Sequence, residues 1–217
     1  MRKALGYGLL MLASLLAGAW LACPGGDCTT GAPLFALDQA VLTAAQARQG
    51  GFMDSAMGAV TWLGSLWLLL PAVLLVGRYL WRTGRRREAM FLGASLLGAS
   101  LLGHVAKFAV ARPRPALFPM LVDLPPDWSY PSAHTMQAVA VALAVLLVRK
   151  GRPGGTWVVA GLVVALVGWS RIHLQVHFPS DVLFGGLAAI FWVLGLHAWL
   201  HRRTRSEPGI PGKEAGS

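Results

Sequence analysis

The chain reads as an all-α integral membrane protein, a bundle of six transmembrane helices. Three observations carry that expectation. Hydrophobic residues make up 55% of the sequence and charged residues 13%, too apolar for an ordinary water-soluble domain. Apolar runs near the length that crosses a bilayer recur along the chain. The net charge of +10 gathers between those runs rather than within them. At 217 residues there is room for one domain and little more.

The first run, Ala4 to Ala22, comes after Arg2 and Lys3 and has two readings. It suits a cleavable signal peptide, ending at Trp20-Leu21-Ala22-Cys23, which weakly resembles a lipoprotein cleavage site. A bulky Trp stands there where a smaller residue is usual, which favours an uncleaved first helix. The stretch from Cys23 to Gly58 reads as a longer connecting segment. Its Cys23 and Cys28 are either two free thiols or the ends of a small disulfide loop. Further runs lie at Ala59 to Leu80, Ala89 to Val110, Ala133 to Val148, around Trp157 to Trp169, and Val182 to Leu200. Gly93, Gly98, Gly103, Gly185 and Gly186 suggest close helix packing. Residues 1–201 thus form one six-helix domain. The Pro-, Gly- and charge-rich stretch 202–217 reads as a disordered cytoplasmic tail.

Placing the N-terminus in the cytoplasm puts Arg2, Lys3, the arginines from Arg78 to Arg87, Arg149 to Arg152 and the basic tail on one side. The other face keeps Arg48, Lys107, Arg112, Arg114 and Arg171. This asymmetry obeys the positive-inside rule, with both termini cytoplasmic in an inner (plasma) membrane. The basic excess therefore reports topology, and a nucleic-acid partner is not expected.

Most of the extracytoplasmic cations fall at helix ends, beside histidines and an aspartate. Ionisable groups at membrane depth are costly, so such a cluster is a functional-site candidate. Lys107 lies in the last turn of the third helix, which Pro113 and Pro115 should end near Ala111, leaving Arg112 and Arg114 on an extended turn. Alone, this cluster also suits snorkelling cations at the interface. Ser132 is a good N-cap residue for the fourth helix, with Ala133 and His134 in its first turn, where free amides favour an anion. Alone, it is equally a capped helix with an interfacial His. Ser170, Arg171, His173, His177 and Asp181 surround the turn between the last two helices. His177 and Asp181, four apart, allow the carboxylate to fix an imidazole tautomer. The same residues also permit a metal reading of His173, His177 and Asp181, which Pro179 opposes by interrupting a shared helical face.

With the helices alternating in direction, these clusters meet at one membrane face and suit a phosphate ester. They resemble the three signatures of the type 2 phosphatidic acid phosphatase (PAP2) superfamily, which also includes bacterial acid phosphatases and vanadium haloperoxidases. Lys, six residues, Arg-Pro matches Lys107, Arg114 and Pro115. Pro-Ser-Gly-His matches Pro131 to His134 except at Ala133. Ser-Arg, five residues, His, three residues, Asp matches Ser170, Arg171, His177 and Asp181. The motif region spans 107–181 and the layout resembles the family's membrane branch, with its haloperoxidase-like core.

The resemblance implies that His177 is the nucleophile, oriented by Asp181, and that His134 moves protons. It implies that Lys107, Arg114, Ser132, Ala133 and Arg171 bind phosphate, with no metal and no cofactor. The implied substrate is a lipid phosphate or diphosphate drawn from the bilayer. Phosphatidic acid, phosphatidylglycerol phosphate and undecaprenyl diphosphate types would present similar heads. Ala133 departs from the glycine of the motif, and its methyl narrows the approach to phosphate. A phosphotransferase using the same site, or a non-catalytic transporter or lipid-binding protein, are the competing classes. Arg112 either assists phosphate binding or faces headgroups; His173 reads as structural, His104 as an interhelical hydrogen-bonding residue, and His197 and His201 as interfacial. The loop from Ala116 to Trp128, with Phe118, Met120 and Leu121, either dips into the outer leaflet or is a plain connection.

Overall fold

The computed structural model describes residues 2–28, 32–123, 127–149 and 154–200. The tail 202–217, and His201, lie outside the described residues. The helices in chain order are α1 (Arg2–Ala22), α2 (Phe35–Gln46), α3 (Gly51–Val60), α4 (Leu66–Arg82), α5 (Arg86–Val110), α6 (Ala133–Val148), α7 (Gly154–His173) and α8 (Pro179–Leu200). Four of them, α1, α5, α7 and α8, are each long and apolar enough to cross a membrane. A fifth span arises if α3 through Gly64 and α4, bent by 43° at their junction, count as one; α6 is a shorter apolar helix. The protein is all-α and multi-pass.

The apolar run from Ala59 to Leu80 does not form one continuous helix. Ser65 adopts an extended conformation, and its Oγ accepts the Trp67 N–H at 3.3 Å. By capping α4 in this non-helical conformation, Ser65 also terminates the helical turn before it. The connecting segment from Cys23 to Gly58 is more structured than expected, since it carries α2 and most of α3. Neither helix has a side-chain N-cap bond, and both are short. Packing holds them instead, as it holds most short helices. Leu42 and Ala45 of α2 cluster with Ile172 and Phe178, and Met57 of α3 with Leu174 and Val176. Cys23 and Cys28 are joined by a disulfide.

The central core is built on α6. Met136, Ala140 and Ala144 pack with Leu96 and Ala99 of α5 and Ala188, Ala189 and Val193 of α8. Alanines and glycines let the backbones approach where lipid offers no competing hydrophobic drive. A Cβ added at Gly185 would sit 3.4 Å from the Ser132 nitrogen. Gly98 lies under Trp192 and Gly103 against Met136, whereas Gly93 has open space around it and makes no close contact. Leu9, Leu75, Leu101, Phe108 and Leu162 point outward, as lipid-facing residues must.

Two residues tie the ends of the bundle. Tyr130 Oη donates to the Leu15 carbonyl at 2.8 Å, securing the loop before α6 to α1. At the opposite end Arg85 donates to the Val148 carbonyl at 2.9 Å. His104 is not interhelical: exposed on α5, its Nδ1 lies 3.0 Å from the Ser100 carbonyl of its own helix. His197 packs edge-on to Phe91.

Candidate active site

Helix α5 ends where the prolines require. Ala111 takes a left-handed conformation with φ 50°, its N–H reaching the Lys107 carbonyl at 2.9 Å. Lys107 is buried in the last turn, with Nζ 3.0 Å from Asp127 Oδ2 and bonded to the Trp128 carbonyl. Arg114 leaves the helix on the extended turn. It donates to the Val176 carbonyl at 2.5 Å and the Asp127 carbonyl at 3.1 Å, and its guanidinium pairs with the Asp127 carboxylate. Partial burial pushes the Asp127 carboxyl up, but Arg114 and Lys107 outweigh it and hold the group below the usual carboxylate range.

Helix α6 begins at Ser132, whose backbone is extended as an N-cap should be. Its side chain does not cap. Ser132 Oγ accepts the Thr135 hydroxyl at 3.0 Å instead, so side-chain capping gives way to a Ser–Thr pair beside the first-turn amides. Ala133 and His134 are half-buried in that first turn. Lys107, Arg114, Arg171 and His177 all lie close enough to act electrostatically on the His134 ring. The two cations of the first motif, the arginine of the third and both histidines therefore converge.

Arg171 is buried at the end of α7 and donates to Thr61 Oγ1 at 2.6 Å. His177 is buried in the turn before α8. Its Nδ1 lies 3.5 Å from Asp181 Oδ2 and 3.5 Å from Ser129 Oγ. Burial pushes the imidazole down to about 3; Arg171 and Arg114 act in the same sense, while Asp181 opposes them. The ring is therefore neutral at ordinary pH and keeps a nitrogen lone pair. Asp181 Oδ2 also accepts from Ser129 Oγ at 2.5 Å and the Phe178 N–H at 2.9 Å.

The other Asp181 oxygen meets Arg112, which neither binds at the cation pocket nor faces headgroups. Arg112 is buried between Asp181 at 2.6 Å and Asp38 of α2 at 2.8 Å, over the Phe178 ring. Asp38 in turn accepts the Ser180 N–H at 2.9 Å and its hydroxyl at 2.6 Å. His173 closes α7, with Nε2 2.8 Å from Asp54 Oδ1. His173, His177 and Asp181 therefore share no helical face: one ends α7, one lies in the turn, and one begins α8.

Three site residues lay outside the sequence motifs' assignments: Asp38, Asp127 and Ser129. Asp38 and Asp127 are two of only nine acidic residues in a largely apolar chain, the signal that could have singled them out. Ser129 had no signal beyond its position two residues before Pro131. Beside these residues run two largely apolar cavities. One of about 400 Å³ includes Phe35, Leu42, Arg114, Leu117 and Phe178. Another of about 390 Å³ between α6, α7 and α8 includes Thr135, Ile172 and Val182, sequence neighbours of His134, Arg171 and Asp181.

Similarity to known proteins agrees with this geometry. A family model described as PAP2 superfamily matches residues 88–205. Phosphatidylglycerophosphatase B of Bacillus subtilis is 29% identical, over 76% of this chain and 85% of its own length. An undecaprenyl-diphosphatase of Sulfolobus acidocaldarius is 32% identical, over 62% of this chain and 60% of its own. Among solved structures, the transmembrane PAP2-type phosphatidylglycerolphosphate phosphatase of Bacillus subtilis superposes with a TM-score of 0.77 at 25% identity. That superposition covers 95% of this chain and 100% of the other. LpxE of Aquifex aeolicus superposes with a TM-score of 0.62 at 25% identity, covering 75% of this chain and 96% of the other. The matched region contains all three motifs and the helices that bring them together, and on that footing the chain belongs to the PAP2 superfamily, as one of its membrane lipid phosphatases.

Proposed function

We propose that this protein hydrolyses a lipid phosphate monoester or diphosphate through a phosphohistidine, without a metal, at the extracytoplasmic face of the membrane. One observation carries the reading: His134 lies within electrostatic reach of Lys107, Arg114, Arg171 and the buried His177, whose Nδ1 is 3.5 Å from Asp181, at a single end of the bundle. In this reading α6 is also a span, giving six with the bent α3–α4 pair. Residues 1–201 are then one phosphatase domain and 202–217 a cytoplasmic tail.

The geometry suggests the roles. His177 Nδ1 faces Asp181, so its Nε2 is the nitrogen left to attack phosphorus. The P–O bond to the lipid or lipid phosphate breaks as the N–P bond forms. His134 gives the departing oxygen a proton, then takes one from the water that attacks the phosphohistidine. That second attack breaks the N–P bond, releases inorganic phosphate and restores both histidines. Lys107, Arg114, Arg171, Ser132 and the amides near Ala133 hold the phosphoryl oxygens as charge shifts among them. Side-chain cations supply the electrostatics that a divalent ion supplies elsewhere, so no cofactor is assigned. The apolar cavities beside the site suit lipid chains. The names of the relatives make phosphatidylglycerol phosphate and undecaprenyl diphosphate the first substrates to try, with phosphatidic acid beside them.

The test is phosphate release by the detergent-purified protein, with excess chelator, across these lipids and beside His177→Ala. Chelator-resistant release that falls by at least about a thousandfold in the variant is the expected result, as for loss of a nucleophile. No release from any lipid by folded protein would instead favour phosphotransfer or lipid binding. Activity abolished by chelator would return the metal reading.

A further inference from the structure

Lys107 and Arg114 already share a carboxylate. Asp127 Oδ2 lies 3.0 Å from Lys107 Nζ, and Oδ1 pairs with the Arg114 guanidinium. The Arg114 Nε also donates to the Asp127 carbonyl at 3.1 Å, so the contact is anchored by main chain as well. The Lys107 and Arg114 side chains are 5% and 14% exposed, whereas that of Asp127 is 43% exposed. The acid thus reaches the cations from the open side, where a substrate would also enter. Its two oxygens bridge an ammonium and a guanidinium as two phosphoryl oxygens would.

We propose that Asp127 is a further substrate-site residue: an internal competitor that an incoming phosphoryl group must displace from Lys107 and Arg114, and which by retaking those cations after the reaction drives out inorganic phosphate. The inference rests on the proposed function, which gives those two cations to the substrate.

Charge is the basis of the competition. A phosphodiester headgroup brings one negative charge from its phosphate and replaces one, so the exchange gains little Coulomb energy. A phosphomonoester carries between about one and a half and two charges near pH 7 and gains from the same exchange. Displacement is inexpensive because the released carboxylate is already partly in water and need not be buried unpaired. Its return after the reaction opposes retention of inorganic phosphate.

The experiment compares the full-length wild type with Asp127→Asn and Asp127→Glu in mixed micelles, with phosphatidic acid as substrate. Inhibition is measured with two probes, inorganic phosphate and phosphatidylglycerol, a phosphodiester lipid. In the wild type, phosphatidylglycerol should inhibit weakly. In Asp127→Asn its inhibition should tighten by at least about tenfold, corresponding to ~1.4 kcal/mol. Inorganic phosphate should tighten by a similar factor, because both probes must displace the same carboxylate, the KM for phosphatidic acid should fall, and Asp127→Glu should keep both inhibitors weak. Inhibition constants left unchanged in Asp127→Asn, for both probes or for inorganic phosphate alone, would overturn the proposal while leaving the phosphatase reading intact. A folded Asp127→Asn protein that neither turns over nor binds phosphate would also overturn it, by giving the carboxylate a required role. A wild type that releases no phosphate and is not inhibited by it would remove the proposed function, and this inference with it.

Discussion

Arg112 holds two carboxylates at once, Asp38 at 2.8 Å and Asp181 at 2.6 Å, and all three side chains are at most 1% exposed. Removing Asp38 leaves Arg112 its pair with Asp181 but takes the acceptor from the buried Ser180 N–H and hydroxyl, and a buried polar group left without a partner costs ~1–3 kcal/mol. Asp38→Ala should therefore lower the thermal midpoint of the detergent-solubilised protein by several degrees. The shift should exceed that of Asp127→Ala, whose carboxylate is 43% exposed and whose pairing is weakened by solvent. Equal shifts in thermal unfolding for the two variants would show that the Asp38 pairing is no tighter than a surface one. The Asp38 contact was hidden from sequence because α2 and Arg112 are 74 residues apart. By contrast, His177 and Asp181 are four residues apart, and their spacing is readable directly. Local motifs report partners within a few residues. Partners supplied by a distant helix leave no comparable trace.

Gly64 shows the same limit at the scale of an element. It ends the 3-10 turn Thr61–Gly64 between α3 and α4, and a Cβ there would lie 2.8 Å from the His134 carbonyl oxygen and 2.6 Å from Val167. The first of these neighbours is backbone, which cannot rotate away as a side-chain tip can. The break in this span thus sets the position of the helix start that carries His134. Overpacking at such a contact costs typically ~1–3 kcal/mol. Gly64→Ala should lower stability by about that amount and reduce turnover more than Gly93→Ala, since Gly93 meets nothing within 4 Å. The check is phosphate release together with thermal unfolding for both variants; parity between them would remove Gly64 from any part in placing His134. Long, apolar α1, α5 and α8 were legible because composition alone defines a span. The break at Ser65 and the short helices α2 and α3 were not, because capping geometry and contacts with the loops at 172–178 decide them.

At the scale of the molecule, side assignment depends on which loops share an end. The extended turn after α5, the start of α6 and the turn before α8 meet at the site through Arg114, Ser132 and Asp181: Arg114 donates to the Val176 carbonyl at 2.5 Å, and the Ser132 N–H reaches the Asp181 carbonyl at 3.2 Å. The turn between α4 and α5 lies at the other end, where Arg85 reaches the Val148 carbonyl. Arg78, Arg82, Arg85, Arg86 and Arg87 lie around that second turn, and on the positive-inside rule we propose that it faces the cytoplasm. The cations of the site do not contradict the rule. Lys107 and the half-buried Arg114 pair with Asp127, Arg112 pairs with Asp38 and Asp181, and Arg171 is buried on the Thr61 hydroxyl, so they are not the free loop charges that orient a membrane protein. Single cysteines can test the assignment after Cys23 and Cys28 are replaced by alanine. Ala116→Cys, exposed near the site, should react with a membrane-impermeant maleimide on cells with a permeable outer barrier and an intact inner membrane. Thr83→Cys, exposed at the opposite end, should react only after the inner membrane is opened. The reverse pattern would place the site in the cytoplasm, so that its lipid phosphates would have to be drawn from the inner leaflet.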